Sequence, residues 1–309
     1  MTCQDIKGLS LLLATLGIPT VSLIIGYMLF LAWHDSDTFS LGSSLVLFLG
    51  LILLGIGYWK KHHCLRSSGW VIFALYWATQ PGYFLHIDDL VNSLFTIVGV
   101  YFLFYLAYHE YLSHTQNNHP PALDFIAGTT VIAGFSYFLI EKISFLSGFL
   151  IKIVADQTAW ALQLLGYNVV AQGIIYNEEI HVPVTFNGET SVYLILACTG
   201  IQSMIIFIGA IAALSHADNH RRWKAFLGTV PIIYFLNIIR NMGVIYGIEV
   251  LGYSFAFMHH VVGKIGSLIA LIILAFFAFT VLPELYDNIM GLIDLPKRKG
   301  PLETYILKK

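Results

Sequence analysis

Apolar residues in this chain fall in long unbroken blocks rather than in the alternating or every-third-residue pattern of a soluble domain. A helix that crosses a bilayer needs about 20 mostly apolar residues. By that rule the blocks predict helices over 9–33, 41–59, 69–86, 90–108, 122–141, 191–214, 225–247 and 262–282. Between the third and fourth stands only His86-Ile87-Asp88-Asp89. The first block is too long for a signal peptide and lacks a basic leader, so it is expected to stay as a helix. The pattern reads as an all-α polytopic membrane protein of about eight transmembrane helices.

Between the fifth and sixth blocks the texture changes twice. Residues 143–166 interrupt apolar turns with Lys152, Asp156 and Gln157, which predicts an amphipathic helix lying along the membrane surface. From Val169 to Val192 the chain alternates. Within it, Val182-Pro183-Val184-Thr185-Phe186-Asn187-Gly188-Glu189 carries the Asn-Gly pair of a tight hairpin turn. A small external β-hairpin leading into the sixth helix is expected.

Composition agrees with the pattern: of 309 residues, 57% are hydrophobic and 11% charged. Soluble domains carry about 25% charged residues. The net charge of −2 says nothing about nucleic acid, and no nucleic-acid partner is expected. The placement of the basic residues is more telling. Lys60, Lys61 and Arg66 follow the second helix, Arg221, Arg222 and Lys224 follow the sixth, and Lys297, Arg298, Lys299, Lys308 and Lys309 close the chain. The positive-inside rule then puts these segments and both termini in the cytoplasm, and the 142–190 segment outside.

Three reactive groups fall at one depth on that scheme. Cys198 lies in the sixth helix and Arg240 in the seventh, each about 10 Å below the outer surface at 1.5 Å per residue. His259 and His260 stand where the external 248–261 connection enters the eighth helix. An arginine within a span is a functional suspect. Thiol, guanidinium and imidazole suit nucleophilic acyl transfer: the guanidinium stabilises a thiolate or an oxyanion, and the imidazole moves the proton. Asn237 shares Arg240's helix face at i−3. Gly200 admits a close neighbour, and Asn241 either bonds the surroundings of Arg240 or faces another helix. Cys3 and Cys64 fall on the cytoplasmic side, so no disulfide is expected. His62-His63-Cys64 lacks zinc-ligand spacing, and His109, His114 and His119 with Glu110 read as a polar loop. No metal or cofactor is expected.

Ala197-Cys198-Thr199-Gly200-Ile201, then Asn237-Ile238-Ile239-Arg240, then His259-x-x-x-Gly263 resembles the exosortase/archaeosortase family in order, spacing and membrane setting. The resemblance covers about 122–283; the first four helices match only in being hydrophobic. Bacterial exosortases more often read Cys-Ser-Gly with a basic residue soon after. Gln202 stands there in this chain, which is closer to the archaeal branch. The resemblance implies an accessory region at 1–121, a catalytic membrane core at 122–283 and a basic cytoplasmic tail at 284–309. It implies a membrane cysteine peptidase or transpeptidase with Cys198 as nucleophile, Arg240 as thiolate or oxyanion stabiliser and His259 as acid and base. His260 and Lys264 are rivals for the third role, and Thr199, Gly200, Asn237 and Asn241 are expected to bind substrate. The implied partners are secreted or surface proteins, such as S-layer glycoproteins, bearing a C-terminal signal: a Pro-Gly-Phe motif, a transmembrane helix and a basic end. A membrane phospholipid accepts the new C-terminus.

Two other readings use the same residues. A bacterial-type exosortase would act on Pro-Glu-Pro signals. A transporter with an anion held at Arg240 would leave Cys198 dispensable and divide into related halves, and no such halves are visible.

Overall fold

The computed structural model describes residues 3–177, 179–298 and 300–307. Lys299, Lys308 and Lys309 of the basic tail lie outside the described residues, as do the side chains of Cys3 and His260. The chain opens with α1 (Cys3–Trp33), α2 (Asp37–Trp59), α3 (His63–Trp77), α4 (Gln80–His86), α5 (Leu90–Gln116), α6 (Pro121–Lys142) and α7 (Ser144–Leu164). Strands β1 (Val169–Ala171), β2 (Ile175–Tyr176), β3 (Ile180–Phe186) and β4 (Glu189–Ile195) follow. Then come α8 (Ile201–Ala213), α9 (Asn219–Leu227), α10 (Val230–Glu249), α11 (Lys264–Val281), α12 (Pro283–Ile293) and α13 (Pro301–Leu307). Among the described residues, seven helices are long and apolar enough to cross a membrane. The chain is a helical, multi-pass membrane protein, and the expected number of eight is approximate.

Two differences from the expected helices have local causes. The third breaks into α3 and α4, because Pro81 at the start of α4 has no N–H to continue the preceding ladder. The sixth shrinks to α8, because residues 189–195 go to a strand instead. The helix expected along the surface is α7, whose length and composition would also suit a membrane span. Its two charges, Lys152 and Asp156, pair with each other one turn apart.

Packing divides the chain into two compact units. The first holds residues 1–131 and 287–309. Asp89 caps α5, its carboxylate accepting from Asn92 N at 3.1 Å, and the helix runs on to Gln116. His109 and Glu110, expected in a polar loop, are therefore buried helix residues, as is Ser113. Glu110 lies 2.6 Å from His63 Nδ1. Arg66 bonds Asp124, and its Nε donates to Gly57 O at 3.1 Å. On the far side of His109, Glu303 of α13 meets Tyr105 and Tyr108.

The second unit, residues 132–286, contains the sheet. Asn187 (φ 52°) and Gly188 (φ 94°) both take left-handed backbone, the requirement of a two-residue hairpin turn whose twist matches the strands. β3 pairs with β4 on one side and with β1 and β2 on the other, all antiparallel. Alternation sends Val182, Val184, Val192 and Leu194 to one face, where they close a core with Ile151, Ala155, Ala159 and Leu162 of α7. Ile245 of α10 joins that core, and so does Cys198.

Candidate active site

Cys198 does not sit inside a helix. β4 ends at Ile195, a single 3-10 turn covers Leu196–Thr199, and Gly200 adopts φ +73° before α8 begins. The thiol residue is thus in the turn before a helix start, where the sequence places it about 10 Å down one. Valine, tyrosine, leucine and isoleucine in β4 pair with β3 and hold the chain extended as far as Ile195. Gly200 then reverses it. A side chain there would be strained by the positive φ, and its Cβ would lie 3.0 Å from Asn237 Cγ. Thr199 is buried and its hydroxyl serves the turn: it donates to Leu196 O at 2.7 Å and accepts from Ile201 N at 3.3 Å.

The turn is held from α10. Asn237 Nδ2 donates to the carbonyl of Cys198 at 2.7 Å and Asn241 Nδ2 donates to the same oxygen at 2.9 Å. Four residues apart, these side chains share one helix face. Both amides expected to meet substrate therefore direct their N–H groups at the backbone of Cys198. Arg240 is carried between them. Its Nη1 lies 3.4 Å from Asn241 Oδ1, and its buried Nε meets no hydrogen-bond partner among the described residues. Gly263 makes room for it: a Cβ at that position would stand 3.1 Å from Arg240 Nε.

Two cavities meet at this clamp. The smaller, 110 Å³, is lined by Cys198, His259, Phe255, Asn241 and residues 192–195 of β4. The larger, 350 Å³ and mostly apolar, runs between α10 and α11 and is lined by Gly200, Asn237, Arg240 and Gly263 among others. Val244 borders both. The structure thus brings Cys198 and His259 to one pocket and sets Arg240 in the adjoining cavity. His259 stands in a π-helical turn, Phe257–Gly263, and stacks on Phe255 with ring centroids 5.0 Å apart. Such turns favour functional sites because they re-aim side chains within a helix. Lys264 is exposed at the start of α11 and borders neither cavity. The side chain of the other rival, His260, lies outside the described residues.

Sequence reasoning missed Phe255, Val244 and the wall formed by β4. For the last the sequence carried no deciding signal, since Val192–Ala197 is a continuous apolar run that suits a strand or a helix. Chemically, the arrangement joins a thiol held by its own backbone, an imidazole sharing its pocket and a guanidinium with a donor unmet. A buried unmet donor costs about 1–3 kcal/mol, so an anionic or carbonyl oxygen entering there would be bound.

The profile of the transmembrane exosortase (Exosortase_EpsH) family matches residues 23–277, a wider stretch than the one carrying the motifs. The chain is similar to archaeosortase A of Haloferax volcanii, 30% identical over 189 residues, which cover 57% of this chain and 59% of the relative. It is also similar to archaeosortase A of Natronomonas pharaonis, 27% identical over 187 residues, 58% of this chain and 56% of the relative. The chain therefore spans less than two thirds of the length of these curated relatives. No solved structure matches it. With more than half its length matched, and with Cys198, Arg240 and His259 gathered around one clamp, the chain belongs to the transmembrane exosortase family.

Proposed function

We propose that this chain is a membrane-embedded cysteine transpeptidase that cleaves the C-terminal sorting signal of secreted proteins and passes the new C-terminus to a membrane phospholipid. The observation that carries the reading is the pocket shared by Cys198 and His259, with the Cys198 carbonyl clamped by the two asparagines that flank Arg240. In the first half-reaction the Cys198 sulfur, its proton taken by His259, attacks the scissile carbonyl. Arg240 offers its guanidinium to the oxyanion that forms. Collapse of that intermediate breaks the C–N bond, His259 returns the proton to the leaving amine, and the substrate remains as a thioester. In the second, a nucleophilic head group of the lipid attacks the thioester, and the thiol is restored.

The clamp explains why a thiol in a turn would be effective. Two bonds to one backbone carbonyl fix the orientation of the peptide that carries the nucleophile, so its approach need not be ordered at the moment of reaction. The favoured signal is the archaeal type, Pro-Gly-Phe followed by a transmembrane helix and a basic end. The site faces the outside, with both termini in the cytoplasm, as the basic loops predict.

The test is a pulse-chase of a secreted reporter bearing that signal, in cells carrying the wild-type chain or Cys198→Ser. The reading expects the wild type to shorten the reporter and leave it lipid-anchored, while the variant accumulates the precursor. Normal processing by Cys198→Ser at equal level would remove the thiol from the mechanism.

A further inference from the structure

We propose that the sorting signal binds as an added strand on the open edge of β4, extended and parallel to it, so that its scissile peptide arrives at Cys198. The inference rests on the reading of Cys198 as nucleophile and names how that site takes its peptide.

β4 pairs with β3 on one edge, and among the described residues no strand pairs with the other. Alternation identifies the groups left over. Pro183 turns its carbonyl away from β4, accepting from Gln172 N at 2.8 Å. Its neighbours Val182 and Val184 therefore face β4, opposite Leu194 and Val192. Tyr193 then points its N–H and C=O outward from the sheet, and Ile195 its N–H, since the Ile195 carbonyl accepts the first bond of the 3-10 turn. The 110 Å³ pocket runs along this stretch and ends at Cys198 and His259. Asn241 and Val244 of α10 and Phe255 line it as well.

The occupant follows from shape and from hydrogen bonding. A helix with its side chains is about 10–12 Å across, too wide for a pocket of this volume. A lipid chain offers nothing to an unpaired N–H or C=O. An extended peptide does, and a strand edge open at a membrane boundary is stabilised by whatever pairs with it. Direction follows from topology. β4 leads through the 3-10 turn into α8, just as the signal's extended motif leads into its own transmembrane helix. Both chains enter in the same sense, which makes the pairing parallel. The larger cavity beyond Gly200 then stays open for the second substrate.

Disulfide cross-linking in membranes tests this. The wild-type chain is first shown to cleave the Pro-Gly-Phe reporter and Cys198→Ala to leave it whole. In a chain with Cys3, Cys64 and Cys198 replaced by alanine, Tyr193→Cys and Ile195→Cys are each paired with single cysteines stepped along the reporter. If Tyr193→Cys links best to one reporter position, Ile195→Cys should link best to the position two residues further toward the reporter's transmembrane helix. The intervening position should link about tenfold less, because successive strand residues face opposite sides. Alongside, Tyr193→Pro, which removes an outward N–H and none of the β3 ladder, should slow processing about tenfold at low reporter level. Tyr193→Phe, which keeps the N–H, should slow it less than Tyr193→Pro does, and both should keep the wild-type rate of Cys198 alkylation. Linking with a three-to-four-residue period, an antiparallel order, or no link to β4 while cleavage still depends on Cys198 overturns the added strand and leaves the nucleophile in place. Cleavage by Cys198→Ala overturns both.

Discussion

If Cys198 is the nucleophile, the two residues that hold its backbone are not among the reactive three. Asn237 and Asn241 spend their donors on a single carbonyl, and each alone keeps that oxygen satisfied. Asn237→Ala or Asn241→Ala should cost about 1 kcal/mol of local stability. Losing both should cost more than the sum, because the buried acceptor is then orphaned. Asn241→Asp is the sharper change, since it sets a carboxylate oxygen against a carbonyl oxygen. Processing by the Asp variant should fall below that of the Ala variant, measured as precursor half-time at equal expression. An Asp variant as fast as wild type would mean the clamp is dispensable. For Arg240, Arg240→Lys keeps the charge but loses the planar fork, so processing should still drop by about tenfold or more. The asparagines were legible as one face of one helix. Their partner was not, because a backbone carbonyl leaves no mark in a sequence.

At the scale of elements, the hairpin was the most legible feature and the start of the sixth helix the least. Asn187-Gly188 specifies its turn chemically. Residues 191–200 form an apolar run that fits a buried strand or a helix equally well by periodicity, and length favoured the helix. Pairing with β3 decided it the other way, and with it the setting of Cys198 changed from a helix interior to a turn. The π-helical turn under His259 has no sequence signature either, which is why His259 and its neighbour could not be separated by pattern. The Pro81 break was visible but lay within a hydrophobic stretch that outweighed it. If the hairpin carries the site, its turn should matter from a distance. Gly188→Val puts a β-branched residue at φ 94°, a conformation that costs non-glycine residues about 1–2 kcal/mol. The variant should insert normally in the membrane, unfold at a lower temperature in detergent and process the reporter more slowly. Unchanged melting would show that the turn bears no load.

For the whole chain, the membrane class was plain from composition, while the fate of the C-terminal segment was not. A basic tail reads as solvated; instead Glu303 of α13 is buried, 4% exposed, with Tyr105 OH at 3.1 Å, Tyr108 OH at 3.2 Å and His109 Nε2 at 3.2 Å. Arg298 reinforces the contact by donating to Asn118 O at 2.7 Å and Ser113 Oγ at 3.2 Å. These partners lie in α5 and just beyond it, within the unit that the C-terminal segment shares with residues 1–131. Burial pushes the Glu303 carboxyl up, but the bonds from His109 and Tyr105 outweigh it and hold the group below its ordinary value. A depressed carboxyl binds fewer protons folded than unfolded. Its contribution is therefore complete above the ordinary value of about 4.3 and fades as pH falls through the lower folded one. The segment 301–307 should stay protected from hydrogen exchange between about pH 5 and 8 and lose protection only below about pH 4. Glu303→Gln keeps the shape and removes the charge, so it should exchange faster at neutral pH and lose this acid dependence. If the glutamine variant exchanges like wild type at pH 7, the docking of α13 rests on apolar contacts such as Leu302, and the carboxylate is a passenger.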